Sequence, residues 1–341
     1  MLSYAFWNNK GGTGKTSLAF QTICAYAHTN MQKRVLAIDV CPQSNLSELL
    51  LGGLEGRGSD NLLKIHGQTT RASIGGYFQE RLANPYNKVS IAINNFITKP
   101  YEYNVNIPEN IDLVCGDPLL EMQSNAISTL ANTQLPTVNT WIQVIEWISD
   151  LIHSGEKMYD VVFFDTNPSF SIYTQMALAA TEKLILPVMS DDSSRRALQN
   201  AFSLIYGLRL PHPFYKEYAF STKLIAAGKS LPQVHLVLKN RLTQYMGAAS
   251  AYNAVLGTIE KEIQKLLNDS DTNAFFFYKS TDEMMIEIRD FQTTGVVSHA
   301  RGCPFYMQKK GSFSIQGRRV QVRQDYLENC IEAIENIVNR L

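Results

Sequence analysis

Residues Phe6-Trp7-Asn8-Asn9-Lys10-Gly11-Gly12-Thr13-Gly14-Lys15-Thr16-Ser17 decide the fold. They follow a short apolar run, Tyr4 to Trp7, that suits a buried strand, and they open onto Leu18 to His28, whose composition suits a helix. A strand, a glycine-rich turn and a helix start are the context of a phosphate-binding loop. The glycines let successive backbone N–H groups face a polyphosphate, and the helix N-terminus adds partial positive charge. Gly11, Gly12, Thr13, Gly14, Lys15, Thr16 and Ser17 then line a nucleotide site. Lys15 reaches the β- and γ-phosphates and the Thr16 hydroxyl ligates Mg²⁺.

The loop departs from G-x-x-x-x-G-K-[ST] at one place, where Asn9 replaces the first glycine and Lys10 follows it. Asn tolerates positive φ better than other non-Gly residues, so the turn still forms. Lys10-Gly11-Gly12-Thr13-Gly14-Lys15-Thr16 resembles the deviant Walker A motif of the ParA/MinD family of ATPases. The resemblance implies ATP as the nucleotide and a nucleotide-sandwich homodimer in which Lys10 reaches the partner's phosphates. The plainer reading of Lys10 is a solvated loop residue.

The 341 residues, 45% hydrophobic and 18% charged, are enough for one large core or two modest ones and exclude a disordered or fibrous chain. We expect a single ATPase domain over 1–341, with a loop-rich insertion at 51–110 and a basic stretch plus a helix at 291–341. Formal net charge is zero, so affinity for nucleic acid must come from local clustering. Cys24, Cys41, Cys115, Cys303 and Cys330 are odd in number and lack C-x-x-C spacing, which argues against a disulfide framework and a zinc site. With the P-loop where a signal peptide would sit, and no run near the ~20 apolar residues of a membrane span, a cytoplasmic protein is expected.

Lys33 to Asp39 reads as a second buried strand ending in a carboxylate, and carboxyl ends of strands line the ligand crevice of an open α/β sheet. Asp39 is therefore expected near the γ-phosphate, its Mg²⁺ shell or the attacking water, and with Lys10 and Lys15 it is a catalytic candidate. Ile38 to Asn45 resembles the ParA-type D-x-D-P-Q-x-N motif, but Cys41 stands where the family has its second aspartate, tied to the hydrolytic water. A thiol of pKa near 8.5 substitutes poorly for a carboxylate, so slow or partner-dependent hydrolysis is expected. Equally, Cys41 reads as a small buried filler, with other groups positioning the water.

Leu51 to Asn110 is glycine-rich and polar and reads as loops with one short helix around Ile74 to Leu82. Ile111 to Gly116 reads as a core strand, and Thr140 to His153 as a helix with one buried face. Tyr159 to Thr166 is an apolar run ending in Asp165, the pattern of a central parallel strand with a Walker B carboxylate that holds the Mg²⁺ shell opposite Thr16. Lys183 to Val188 and Val234 to Arg241 complete at least six strand-like runs, alternating with helices at Ser193 to Tyr206 and Gly247 to Leu267. That alternation implies an α/β fold with a doubly wound, mostly parallel sheet.

Further segments resemble the family: Thr166-Asn167-Pro168-Ser169, the run after Pro187 ending at Leu198, and Ile288-Arg289 through Phe305. In related ATPases an Asn after the later strand contacts adenine, which implies that role for Asn240; a turn or cap residue is the other reading.

Between Phe291 and Gln324 no residue is acidic, while Arg301, Lys309, Lys310, Arg318, Arg319 and Arg323 are positive. Exposed, such a stretch binds phosphates without reading sequence; otherwise it is an ordinary solvated face. ParA-type proteins bind nonspecific DNA when ATP-bound, so Lys309, Lys310, Arg318, Arg319 and Arg323 are the DNA-binding candidates. The last helix, Gln324 to Leu341, has an apolar stripe but an acidic polar face, which anionic lipid repels, so packing on the body is expected and a membrane is not.

The resemblance thus implies a nucleoid-associated, Mg²⁺-dependent partition ATPase that segregates plasmid or chromosomal DNA. Hydrolysis stimulated by a ParB-like adaptor or centromere-binding protein would release it from DNA. The alternative is a MinD-like positioning or scaffold ATPase for a non-DNA cargo or a membrane surface.

Overall fold

Short apolar runs bounded by turns become strands, and the longer amphipathic stretches between them become helices. The computed structural model describes residues 1–89, 91–189, 191–242 and 249–341. β1 (Leu2–Phe6), β2 (Val35–Val40), β3 (Ile111–Val114), β4 (Val161–Thr166), β5 (Lys183–Met189), β6 (Gln233–Leu242) and β7 (Met285–Arg289) form one sheet in the order β3-β2-β4-β1-β5-β6-β7. Every pairing in it is parallel.

β2 and β4 are buried throughout, which is why they read as unbroken apolar runs. Side chains alternate between the two faces. Ala5, Leu36, Ile38 and Phe164 enter one core, and Tyr4, Phe6, Val35 and Phe163 the other. Helices cover both faces, so the sheet is doubly wound. The carboxyl ends of β1, β2 and β4 fall side by side, with Phe6 opposite Asp165 and Asp165 opposite Asp39.

Three elements differ from expectation. The stretch Thr140 to His153 is two helices, Thr140–Ile145 and Trp147–Ser154, parted at Glu146, where ψ is −2°. Residues 51–110 hold a helix at Gly58–His66 besides Ile74–Ala83; Leu62 and Ile65 are buried in the core, and that burial overrides the weak propensity of Gly58-Ser59-Asp60. An antiparallel hairpin, β8 (Gly311–Ile315) and β9 (Arg318–Val322), rises from the basic stretch.

The expected helix start at Gly247 lies outside the described residues; the helix itself is Ala249–Asn268. The last helix, Gln324–Val338, buries Leu327, Cys330, Ile334 and Ile337 against the helix Lys15–Thr29 and β7. Among the described residues no helix is long and apolar enough to cross a membrane.

Candidate nucleotide site

The helix Lys15–Thr29 begins at Gly14, whose φ of 86° is left-handed. A side chain at Gly14 would also place its Cβ 2.2 Å from Asn240 Nδ2, so only glycine fits. No side chain caps this helix and no acidic residue lies in its first turn. Its first N–H groups are thus left for an anion. Thr13 Oγ1 and Asn9 Oδ1 of the same loop are buried without partners among the described residues. Lys15 is buried, its Nζ donates to Lys10 O at 3.1 Å, and burial lowers its pKa against the pull of Asp165.

Asp165 is fully buried, and among the described residues neither carboxylate oxygen has a hydrogen-bond partner. The Thr16 hydroxyl lies beside it and pulls its pKa down against the larger upward push of burial. An orphaned buried carboxylate beside a hydroxyl and a polyphosphate cradle fits a hard, oxygen-seeking cation such as Mg²⁺.

Asp39, also fully buried, is engaged: Oδ2 accepts from Ser47 N at 2.9 Å and Ser47 Oγ at 2.8 Å, and Oδ1 from Cys41 N at 3.2 Å. Both carboxyls are held above the ordinary range, each first by burial, and Asp39 next by the charge of Asp165. Such groups stabilise the fold most when protonated, below about pH 4, and that contribution is lost as pH rises through the raised pKa values. Asp165→Asn is therefore expected to raise the neutral-pH melting temperature of the nucleotide-free protein by about 2–4 °C, the shift for roughly 1 kcal/mol in a larger domain. It should also abolish the extra stabilisation that Mg²⁺ adds to ATP. Calorimetry checks both, and a variant less stable than wild type would contradict a charge kept buried for a ligand.

Cys41 is 8% exposed, and burial, then Asp39 and Asp165, push its thiol up to about 12, so no thiolate stands at this position. Asn240 donates from Nδ2 to Thr13 O at 2.9 Å, which puts it against the loop. Lys10 Nζ meets Asp191 Oδ2 of its own chain at 2.5 Å and Ser194 Oγ at 3.3 Å. Asp191 caps the helix Asp192–Tyr206 through Ser194 N. Partial burial pushes its pKa up, but hydrogen bonds from Lys10, Ser194 and Ser193 outweigh that and hold it at about 2.

The fold thus gathers Lys10 to Ser17, Asp39, Asp165 and Asn240 at the carboxyl end of the sheet. Lys309, Lys310, Arg318, Arg319 and Arg323 lie apart, exposed on and beside the β8–β9 hairpin, with Arg323 paired to Asp325. Asp191 and Ser47 escaped the sequence reading. An Asp three residues before a Ser at a helix start signals the Asp191 cap, but no local signal announces either its ion pair with Lys10 or the bond from Ser47 to Asp39.

Fold, loop and buried carboxylate define a P-loop NTPase with a deviant Walker A motif. The AAA domain family profile matches residues 2–209, and the chain belongs to that family and, within it, to the ParA/MinD ATPases. It is 27% identical to the cell division protein PomZ of Myxococcus xanthus over 233 residues, 66% of this chain and 60% of that protein. It is 29% identical to the virulence plasmid ParA family protein pGP5-D of Chlamydia muridarum over 209 residues, 60% of this chain and 62% of the other. The chain therefore spans about three-fifths of the length of these relatives, 60% and 62%. A solved Borrelia burgdorferi B31 structure, assigned to plasmid partition and bound to AMPPNP, shares the fold. Its TM-score is 0.54 at 14% identity, over 100% of this chain and 99% of that one.

Proposed function

We propose that this chain is an ATP-dependent, dimerising partition ATPase that binds nonspecific DNA in its ATP state. The observation that carries the reading is the pairing, in one chain, of a P-loop site holding the orphaned Asp165 with a basic hairpin that bears no acidic residue. Lys15 and the uncapped helix start bind the phosphates, and Thr16 with Asp165 would hold Mg²⁺, which neutralises phosphate charge when bound. Asn240, which donates to Thr13 O of the loop, would contact the adenine base. Lys10 leaves Asp191 to meet the partner's phosphates, which makes ATP the ligand that joins two subunits. With Cys41 a neutral thiol, turnover is slow and is raised by an adaptor that marks the cargo.

The test is binding to random-sequence duplex DNA with no nucleotide, with ADP–Mg²⁺ and with ATP–Mg²⁺, each across a salt titration. If four to five phosphates are contacted, affinity in the ATP state should fall with a log–log salt slope of about −4, from roughly −0.9 per contact. No binding in any state at low salt would overturn the DNA reading. A positioning ATPase for another cargo, the role that similarity to a cell division protein favours, would then lead.

A further inference from the structure

The hairpin and the nucleotide site are joined by a continuous run of hydrogen bonds, one ion pair and closely packed backbone. Ser47 holds Asp39 through both its N–H and its hydroxyl, and the same hydroxyl accepts from Gly116 N at 2.9 Å. Asp39 thereby caps the helix Asn45–Leu50 from outside, since Ser44 at its N-cap makes no side-chain bond. Any shift of the Asp39 carboxylate is delivered to that helix.

The helix runs into a turn that lies directly on the C-terminal end of the helix Gln292–Arg301. A Cβ at Gly53, where φ is +61°, would stand 2.3 Å from His299 O, and one at Gly302, where φ is +52°, would stand 2.6 Å from Leu49 O. Backbone therefore meets backbone at both glycines, and the Asn104 amide, donating to Gly302 O at 2.7 Å, pins the junction from the side. Glu55 N donates to Ala300 O at 2.7 Å, and Glu55 pairs with Arg301 at 3.5 Å.

From there the path reaches the hairpin. Arg301 stacks over Phe313 of β8 at 5.1 Å, and Thr293 donates to Gln321 O of β9 at 2.9 Å. The hairpin turn, Ile315 and Gln316, also borders a groove of about 830 Å³ with Thr16 and Ser17.

We propose that Ser47 and the turn Gly52–Gly58 form a lever that carries the state of Asp39 to the β8–β9 hairpin, so that ATP orders or re-aims its basic face. Ser47 is a positioning residue here: it acts on the nucleotide end only through Asp39. The inference deepens the DNA-binding reading by naming its regulation, but its first readout needs no DNA.

The experiment is hydrogen–deuterium exchange of the full chain with ADP–Mg²⁺ and with AMPPNP–Mg²⁺, comparing wild type, Ser47→Ala, Ser47→Thr and Gly53→Ala. In wild type, exchange across 292–301 and 311–322 should differ between the two nucleotides by at least about 5-fold, the low end of ordinary coupling between sites. Ser47→Ala should still bind a fluorescent ATP analogue yet lose that difference, and Ser47→Thr should keep it. A merely structural serine would loosen the hairpin equally in both states and leave the difference in place. Gly53→Ala breaks the far end of the lever and gives the same loss if Ser47→Ala does not fold. Equal hairpin exchange with both nucleotides in wild type, or a difference that survives both breaks, overturns the proposal. Failure of wild type to bind DNA would remove the DNA reading alone, because the exchange comparison stands apart from it.

Discussion

Cys41→Asp should raise steady-state ATP turnover on the order of 10²-fold, the lower range of what a positioned general base contributes. The thiol sits beside Asp39 and Asp165, is nearly closed to solvent and is pushed up to about 12, so it neither accepts a proton at neutral pH nor carries charge. Its backbone N–H holds Asp39, and that bond survives a side-chain change. An aspartate there adds a third carboxylate to a buried pair, which costs stability in the nucleotide-free protein and keeps the new group poised to take a proton. Phosphate release at saturating Mg²⁺–ATP measures the effect, with Cys41→Asn as a control of similar size that cannot act as a base. Turnover that stays flat in Cys41→Asp while nucleotide still binds would show that the water is positioned elsewhere.

Lys10→Ala should weaken the proposed ATP-dependent dimer at least about 30-fold, since truncating one partner of a buried interfacial charge pair, which Lys10 and the partner's phosphates would form, costs roughly 2 kcal/mol or more. Within the chain, Lys10 is held by Asp191 and Ser194, and the Asp191 side chain is 43% exposed. A partly exposed ion pair is worth roughly 0–1 kcal/mol, little against a triphosphate. Asp191→Asn therefore should favour the dimer modestly while an amide oxygen still caps the helix. Sedimentation with AMPPNP–Mg²⁺ separates these outcomes, and binding of a fluorescent analogue confirms that Lys10→Ala monomers still take nucleotide. A dimer of wild-type strength in Lys10→Ala would remove the reach across the interface.

The strands of the sheet centre were legible because parallel strands buried on both faces are apolar throughout: Val161 to Phe164 ending in Asp165 is a pattern that a half-solvated strand does not produce. The sheet edge was not. β7, Met285-Ile286-Glu287-Ile288-Arg289, alternates charge with apolar residues because one side faces solvent, and its run is short. The hairpin hides for a similar reason, as Phe313, Ile315, Val320 and Val322 alternate with polar residues around a Gln316-Gly317 turn that lacks the usual Asn-Gly signal. In the site, the loop and both acids were readable from their spacing. Ser47 and Asp191 were not, because their partners lie 8 and 181 residues away and nothing local marks the pairing.

The place of β1 in the sheet has a further consequence for how the chain is made. β1 carries the loop that defines the protein, yet its two neighbours are β4, beginning at Val161, and β5, beginning at Lys183. At about 5–20 residues per second, an emerging chain leaves this apolar strand unpaired for roughly 8–30 s before β4 is synthesised. During that interval Tyr4, Phe6 and Trp7, wholly buried in the finished fold, must be sheltered by the helix that follows or by a chaperone. The segment of greatest functional weight is therefore the strand of the sheet that waits longest for a pairing neighbour, and slow decoding beyond Asp165 would lengthen its wait for β5.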